Sequence, residues 1–162
     1  MRKIWELPGG VHPPENKAQS MGSPIVDCPL ASEYILPLNQ HIGAPALPLV
    51  NIGENVKKYQ CIADAAGVFS AAVHAPTSGT VIAIEERFIA HPSGLKAPCI
   101  VISADGLDEA APLSATEDPF ALSHSELIEK IRSAGIVGLG GAGFPSAIKL
   151  NPKANSSINT LI

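Results

Sequence analysis

Residues 74–84 read HAPTSGTVIAI, a turn that leads directly into a strand. Thr77, Ser78 and Gly79 are turn formers, and we expect Gly79 to serve a backbone conformation rather than chemistry. The continuous apolar run from Val81 to Ile84 predicts a strand that is covered on both faces. Residues 51–62, NIGENVKKYQCI, have a related layout. The two stretches together predict a pseudo-symmetric pair of hairpins.

Short apolar runs separated by turns extend from residue 33 to residue 103. The runs are YILPL, ALPLV, VHAP, GTVIAIEE and PCIVIS, and the turns between them contain glycine or proline. Short strands at this spacing are typical of a small barrel or sandwich. We therefore expect residues 33–103 to form a compact, mainly β module.

The segments on either side of this module have a different composition. Proline and glycine recur through residues 1–32, which excludes a long helix and predicts an extended arm laid over a larger surface. Residues 104–122 are acidic and rich in turn formers, which is typical of a linker.

Residues 123–162 begin with the clearest helix signal of the chain. Ser123 and Glu126 form a capping-box pattern, and Gly135 is placed to end the helix. A second helix is predicted from Pro145 to about Leu150. The last residues, SSINTLI, resemble a strand without a partner, so we expect the chain to be a fragment of a longer protein.

Composition excludes several classes of function. The net charge of −4 gives no reason to expect nucleic-acid binding, and no apolar run is long enough for a transmembrane helix. The N-terminus lacks the apolar segment of a secretory signal. Cys28, Cys61 and Cys99 are far apart and form no C-x-x-C pair, so we expect no metal site and interpret them as buried thiols of a reducing cytosol.

Residues 138–149, GLGGAGFPSAIK, are the strongest candidate for a binding site. Glycines allow backbone N–H groups to converge on a ligand, the following helix start favours an anion, and Lys149 adds a full positive charge. We expect an anionic group here, such as a cofactor phosphate. The G-x-G-x-x-G spacing alone is equally compatible with a tight turn between helices, and a Rossmann site would need a preceding strand and a following acidic residue.

Residues 51–84 resemble the barrel-sandwich hybrid fold of biotinyl and lipoyl domains. NIGENVKKYQCI is similar to the G-x-x-V-K-x-G-Q-x-I half, with Tyr59 in place of a glycine, and HAPTSGTVIAI is similar to the A-P-x-x-G-x-V half. In carrier domains the hairpin between these halves bears the lysine that carries the prosthetic group. The corresponding residues 63–74, ADAAGVFSAAVH, contain no lysine. The resemblance therefore implies the fold without the carrier chemistry.

GLGGAGFPSAIK resembles the flavin-binding loop of the NADH-binding flavoprotein subunit of respiratory complex I, G-R-G-G-A-G-F-P-T-G-x-K. Leu139 stands where that loop has an arginine, and Ser146 and Ala147 stand for threonine and glycine. The resemblance implies FMN as cofactor. Its contacts would be Gly138, Gly140, Gly141, Ala142, Gly143, Phe144 and Lys149. Two simpler interpretations stay open, namely that Phe144 is a core aromatic residue and that Lys149 is a solvated helix lysine.

Five motifs in order resemble the RnfC (RsxC) family of the Rnf (Rsx) ion-translocating electron transport complex. They are WELPGGVHPPENK, LPLNQHIGAPALPLV, HAPTSGTVIAIEE, HPSGLKAPCIVI and AGIVGLGGAGFPSAIKL, and they cover nearly the whole chain. The family implies a peripheral protein on the cytoplasmic face of the bacterial inner membrane. Such a protein binds FMN, takes electrons from NADH and passes them through [4Fe–4S] clusters to the other subunits of the complex. The cysteine runs that hold such clusters are absent here.

The first hypothesis is thus an N-terminal part of an NADH-oxidising electron transport subunit. Residues 123–162 would be the first helices of a truncated α/β FMN/NADH-binding domain. We assign no catalytic residue and expect little catalysis by this chain alone. The alternative is a non-catalytic scaffold that binds neighbouring subunits, and a biotin or lipoyl carrier is disfavoured by the missing lysine.

Overall fold

The computed structural model describes residues 9–11 and 13–152. A small helix precedes seven strands, and the C-terminal part holds a longer helix, a short hairpin and one helical turn. The elements are α1 (Ala18–Met21), β1 (Glu33–Pro37), β2 (Leu47–Pro48), β3 (Asn55–Val56), β4 (Cys61–Asp64), β5 (Val73–His74), β6 (Gly79–Phe88), β7 (Lys96–Ala104), a 3₁₀ helix (Pro119–Ala121), α2 (His124–Ser133), β8 (Val137–Gly138), β9 (Phe144–Pro145) and α3 (Ser146–Lys149).

Residues 33–104 form a mainly β module, a barrel-sandwich hybrid, where the sequence predicts one over residues 33–103. One sheet has the order β1-β7-β6-β3 and the other has the order β2-β4-β5, and all pairs are antiparallel. The register of β6 on β7 shifts between Val81 and Ala83. Such a bulge increases the local twist, which curls the sheet around its core.

The core lies between the two sheets and is aliphatic. Its largest members are fully buried, and they come from both sheets: Val56, Ile62, Val81, Ile100 and Ile102. Because aromatic residues are scarce in this sequence, branched aliphatic side chains fill the interior. Val and Ile suit this position because they pack well on a pleated surface.

The prediction that residues 81–84 are covered on both faces is wrong. Val81 is buried, whereas Ile82 is 43% exposed. The strand belongs to an antiparallel sheet with only one face on the core, so the residue after Val81 faces outward.

Gly79 is required for a different reason than the sequence predicts. Its φ is not in the left-handed region, so no unusual backbone conformation demands glycine. A Cβ at this position would instead collide with the carbonyl oxygen of Ser103 on the neighbouring strand β7. The missing side chain therefore permits close approach of two strands.

The first C-terminal helix follows the sequence signals closely, and the second follows them only in part. Ser123 Oγ accepts the Glu126 N–H at 3.3 Å, and Glu126 Oε2 accepts the Ser123 N–H at 2.8 Å, which confirms the capping box. Gly135, with φ +67°, ends α2 as predicted. The second helix is only Ser146–Lys149, because Pro145 has an extended ψ of 118° and stands before the helix rather than in it.

The described residues of the arm, 9–11 and 13–32, are exposed, and α1 is their only regular element. Cys28 lies in this arm and is exposed, so the prediction of buried thiols is wrong there, because the arm packs on no core. Cys99 is buried, and burial raises the pKa of its thiol. The predicted strand-like run SSINTLI lies outside the described residues.

The first part of the predicted linker is fixed to the barrel. Ser78 Oγ donates to Asp105 Oδ1 at 2.7 Å, and Thr77 Oγ1 donates to Asp108 Oδ1 at 2.9 Å. The Lys58 ammonium donates to the other oxygen of Asp108 at 2.6 Å. These hydrogen bonds from Lys58 and Thr77 hold the pKa of Asp108 below its ordinary value. We call residues 105–111 the strap.

Candidate cofactor loop and its support on the barrel

The glycine-rich segment forms the tip of the β8–β9 hairpin. Gly138 pairs with Phe144 and Val137 pairs with Pro145, so residues 139–143 make the connecting loop, which we call the glycine loop. Two of its residues have positive φ, Gly141 at +116° and Gly143 at +57°. Such angles are accessible to glycine and strained for other residues, so this loop conformation depends on glycine at positions 141 and 143.

The glycines of the loop do not have equal surroundings. A Cβ built on Gly140 or Gly141 would meet nothing within 4 Å. A Cβ on Gly143 would lie 2.7 Å from the carbonyl oxygen of Gln40 and 2.8 Å from the Cα of His41. The backbone of Gly140 and Gly141 is therefore open to a ligand, while Gly143 is small because the barrel packs against it.

Three of the predicted site residues come together beside the loop. The Lys149 Nζ lies 5.4 Å from the centroid of the Phe144 ring and 3.5 Å from where a Cβ on Gly138 would be. A cation over an aromatic face is held by the ring quadrupole. Among the described residues, no carboxylate lies within ion-pairing distance of Lys149. Its charge is thus positioned next to the hairpin backbone.

The Phe144 ring packs on the barrel. Its centroid lies 5.8 Å from that of Phe69, and the two planes meet at 82°, an edge-to-face arrangement. Phe144 is half-buried and Phe69 about half exposed. The interpretation of Phe144 as a packed aromatic residue therefore has direct support, and Lys149 covers the same ring.

Backbone hydrogen bonds join the glycine loop to the barrel as well. The Ile42 N–H donates to the carbonyl oxygen of Ala142 at 3.0 Å. The Ala44 N–H donates to the carbonyl oxygen of Phe69 at 2.9 Å. Residues 40–44 and 69–71 thus form a continuous support for the loop, which we call the platform.

A cleft of about 820 Å³ opens between the glycine loop, residues 37–42 and the end of the β6–β7 hairpin. Gly141, Ala142 and Gly143 line it, but Gly138, Phe144 and Lys149 do not. In the described part of the chain no carboxylate lines the cleft, whereas Lys96 and His91 do. The predicted site residues are consequently divided: three line this cleft, Gly138 and Phe144 lie beside Lys149, and Gly140 belongs to neither group.

Within residues 9–11 and 13–152, no group of three or more His, Cys, Asp or Glu side chains could hold a metal ion. In the same part of the chain, no helix is long and apolar enough to cross a membrane.

Residues 5–107 match the family model described as the RnfC barrel sandwich hybrid domain. The chain belongs to this family. The match starts within the predicted arm and ends within the strap, so the RnfC family model includes the first part of the predicted linker.

The chain is also similar to relatives whose name is that of the C subunit of the ion-translocating oxidoreductase complex. The one from Pseudomonas aeruginosa is 51% identical over 162 residues, which is 100% of this chain and 21% of that protein. The one from Vibrio cholerae is 47% identical over 148 residues, which is 91% of this chain and 19% of that protein. The one from Serratia proteamaculans is 46% identical over 160 residues, which is 99% of this chain and 22% of that protein. The chain thus spans about a fifth of the length of these relatives.

The RnfC domain differs from carrier domains at the hairpin between β4 and β5. Besides lacking a lysine, this hairpin has the last part of its loop buried, at Ser70, Ala71 and Ala72, while Val68 and Phe69 before them are exposed. A carrier domain needs a side chain at the hairpin tip that bears the prosthetic group, and here the residues after the tip are used for packing.

Sequence reasoning missed the platform. In residues 63–74 the absent lysine is the only recognisable feature, and Phe69 belongs to no motif. His41 lies in the motif LPLNQHIGAPALPLV, but that motif does not indicate that the imidazole bonds the hairpin loop. One local signal exists at Gly43, where a Cβ would collide with the carbonyl oxygen of Phe69. A glycine in a turn is common, so this signal becomes specific only once the partner is known.

Proposed function

We propose that this chain is the N-terminal part of the RnfC protein of an ion-translocating oxidoreductase complex. The observation that carries the proposal is the similarity of the whole chain to relatives with that name, at 46–51% identity. In this proposal the complete protein lies on the cytoplasmic face of the bacterial inner membrane. It oxidises NADH and passes electrons through FMN and [4Fe–4S] clusters to the other subunits.

The FMN phosphate would be held by the glycine loop and Lys149. The residues fit such a group, because Gly140 and Gly141 leave open space where side chains would otherwise stand. Lys149 supplies a positive charge beside the backbone of Gly138. Backbone N–H groups and a cation are the usual partners of phosphate.

FMN, when bound, supplies the conversion of a two-electron hydride into single electrons. The chain contributes binding and orientation. Its described residues offer donors for the phosphate, the platform fixes the loop that bears them, and no side chain is assigned a proton-transfer role. An isoalloxazine ring needs a further pocket, so we expect weak FMN binding by the 162-residue chain alone.

The flavin content of the purified full-length protein tests this proposal. Lys149→Ala should weaken flavin retention by about 1.5–3 kcal/mol through loss of a charge-assisted contact. Lys130→Ala is the matched control, since Lys130 is another exposed lysine near the end of a helix. Gly141→Val should be worse than Lys149→Ala, because it blocks the approach of ligand to backbone.

Two results would contradict the site assignment. One is full flavin occupancy in both Lys149→Ala and Gly141→Val. The other is tight binding of FMN by the 162-residue chain, which would mean that the ring needs no pocket beyond this fragment.

A second candidate function is that of a scaffold for neighbouring subunits. The arm favours it, because Val11, Met21, Ile25 and Val26 are all more than three-quarters exposed. Exposed apolar side chains along one segment are typical of interaction sites. Deletion of residues 9–30 from the full-length protein should lower its recovery with the complex and leave its flavin content unchanged, whereas unchanged recovery would exclude this role.

A further inference from the structure

The loop of the β4–β5 hairpin is fixed at Phe69 and at the two residues that follow it. Ser70 and Ala71 are buried, and the Ala71 N–H donates to Nε2 of His41 at 3.0 Å. The Phe69 carbonyl oxygen accepts the Ala44 N–H at 2.9 Å. The backbone of this loop is therefore held by hydrogen bonds that do not involve the Phe69 ring.

His41 joins the two parts of the platform. It is 8% exposed, and because its Nε2 accepts the Ala71 N–H, the neutral ring carries its proton on Nδ1. That Nδ1 lies 3.2 Å from the carbonyl oxygen of Ile42, to which it donates. Ile42 in turn donates its N–H to Ala142 of the glycine loop. One buried imidazole thus connects the hairpin loop to the residue that bonds the glycine loop.

The platform makes three contacts with the glycine loop and with Phe144, the residue that follows it. The Phe69 ring packs on Phe144, the Ile42 N–H bonds Ala142, and Gly143 lies against the backbone of Gln40 and His41. These contacts fix one end of the loop and leave Gly140 and Gly141 uncovered.

We propose that the barrel serves to position the glycine loop, and that Phe69 is the positioning residue through which the β4–β5 hairpin does so. In carrier-type barrels this hairpin bears the cofactor itself. Here it would hold, through Phe144, the loop that receives one. The ligand part of the proposal rests on the proposed FMN site, whereas the ordering of the loop does not.

The physical reason lies in the entropy of a glycine-rich segment. Glycine loses more backbone freedom on ordering than any other residue, and a loop that must order on binding lowers affinity. A loop held in place beforehand has already lost that freedom. The platform would therefore raise ligand affinity without touching the ligand.

Hydrogen exchange on the 162-residue chain tests the ordering. Phe69→Ala removes a half-exposed ring and leaves the backbone bonds of the hairpin loop available. We expect faster exchange of the Ile42 amide, which is bonded to Ala142 while the loop is attached, by about 2- to 12-fold for the loss of one edge-to-face pair. Exchange in β6 and β7 should be unchanged, and Phe69→Tyr should exchange at Ile42 like the wild type.

Phe88→Ala is the matched control. Its ring is 68% exposed and lies under the Lys96 ammonium on the β6–β7 hairpin, so its loss should not change exchange of the Ile42 amide. Unchanged exchange of the Ile42 amide in Phe69→Ala would overturn the proposal. An equal rise at Ile42 and across β6 and β7 would overturn it too, since Phe69 would then stabilise the fold and not position the loop.

The ligand part is tested on the purified full-length protein, by flavin content and by the midpoint potential of the bound flavin. Phe69→Ala should lower the flavin content and shift the midpoint potential of the bound flavin. Phe69→Tyr, which keeps an aromatic ring, should have wild-type values of both. If the wild-type protein binds no flavin, the proposed function fails. The hydrogen-exchange result still decides whether Phe69 holds the glycine loop on the platform. If flavin is bound and unaffected by Phe69→Ala, positioning fails and the FMN site stands.

Discussion

Gly143→Ala should separate the glycine that the barrel requires from those left open to a ligand. The new Cβ would lie 2.7 Å from the Gln40 carbonyl oxygen, in a backbone conformation with φ +57°. A left-handed conformation costs a non-glycine residue about 1–2 kcal/mol, and overpacking costs about 1–3 kcal/mol. If the loop stays in place, the two effects together destabilise it by about 2–5 kcal/mol.

The loop can avoid this cost by detaching from the platform, so the global unfolding free energy alone is an incomplete measure. The amide of Ile42 is the better reporter, because its hydrogen bond to Ala142 exists only while the loop is attached. Native-state hydrogen exchange of this amide should accelerate strongly in Gly143→Ala, whichever way the strain is relieved.

Two neighbouring substitutions serve as controls. Gly140→Ala meets nothing within 4 Å and has no positive φ, so protection of the Ile42 amide should stay the same or rise slightly. Gly141→Ala also meets nothing but has φ +116°, so it should cost about 1–3 kcal/mol from backbone strain alone. Equal exchange of Ile42 in Gly143→Ala and Gly140→Ala would refute the close packing of loop on barrel.

Three further results are expected. Gly79→Val should lower the unfolding free energy by about 1–3 kcal/mol through its collision with strand β7, and a melting curve equal to that of Gly10→Val, where nothing lies within 4 Å, would disprove this. Because the pKa of Asp108 is lowered in the folded protein, this carboxylate stabilises the fold above the unfolded pKa of about 3.9, and the stabilisation is lost as the pH falls through the folded pKa. Urea titrations between pH 6 and pH 2 should therefore show a smaller loss of unfolding free energy in Asp108→Asn than in the wild type. Equal losses would contradict the role of the bond from Lys58. The intact mass after expression should show neither a biotinyl nor a lipoyl addition, and a mass increase of either kind would reinstate the carrier function.

The fold was largely predictable because its signals are local or repeated. Turn formers, short apolar runs and the two carrier-like halves define the barrel, and the Ser123 capping box defines α2 through bonds within one turn. The exposure of Ile82 was not predictable in this way, because an apolar run does not reveal how many faces of a strand are covered.

The candidate site was predictable only in part. The motif identifies the glycine loop and Lys149, but it treats the glycines as equivalent. Gly143 differs from Gly140 and Gly141 because the backbone of Gln40 passes beside it. Gln40, like Phe69 beside Phe144, is distant from the loop in sequence. Contacts of this kind arise from packing between segments and leave no periodic signal in either one.

The strap also limits how far the glycine loop can move when it leaves the platform. A free linker over residues 104–122 would reach roughly 65 Å when fully extended. With residues 105–111 bound to Lys58, Thr77 and Ser78, only residues 112–122 remain as a tether, with a reach of roughly 40 Å. A detached loop would remain at a high effective concentration near its platform, on the order of millimolar for a short flexible tether. Reattachment of the glycine loop to its platform would then be an intramolecular event.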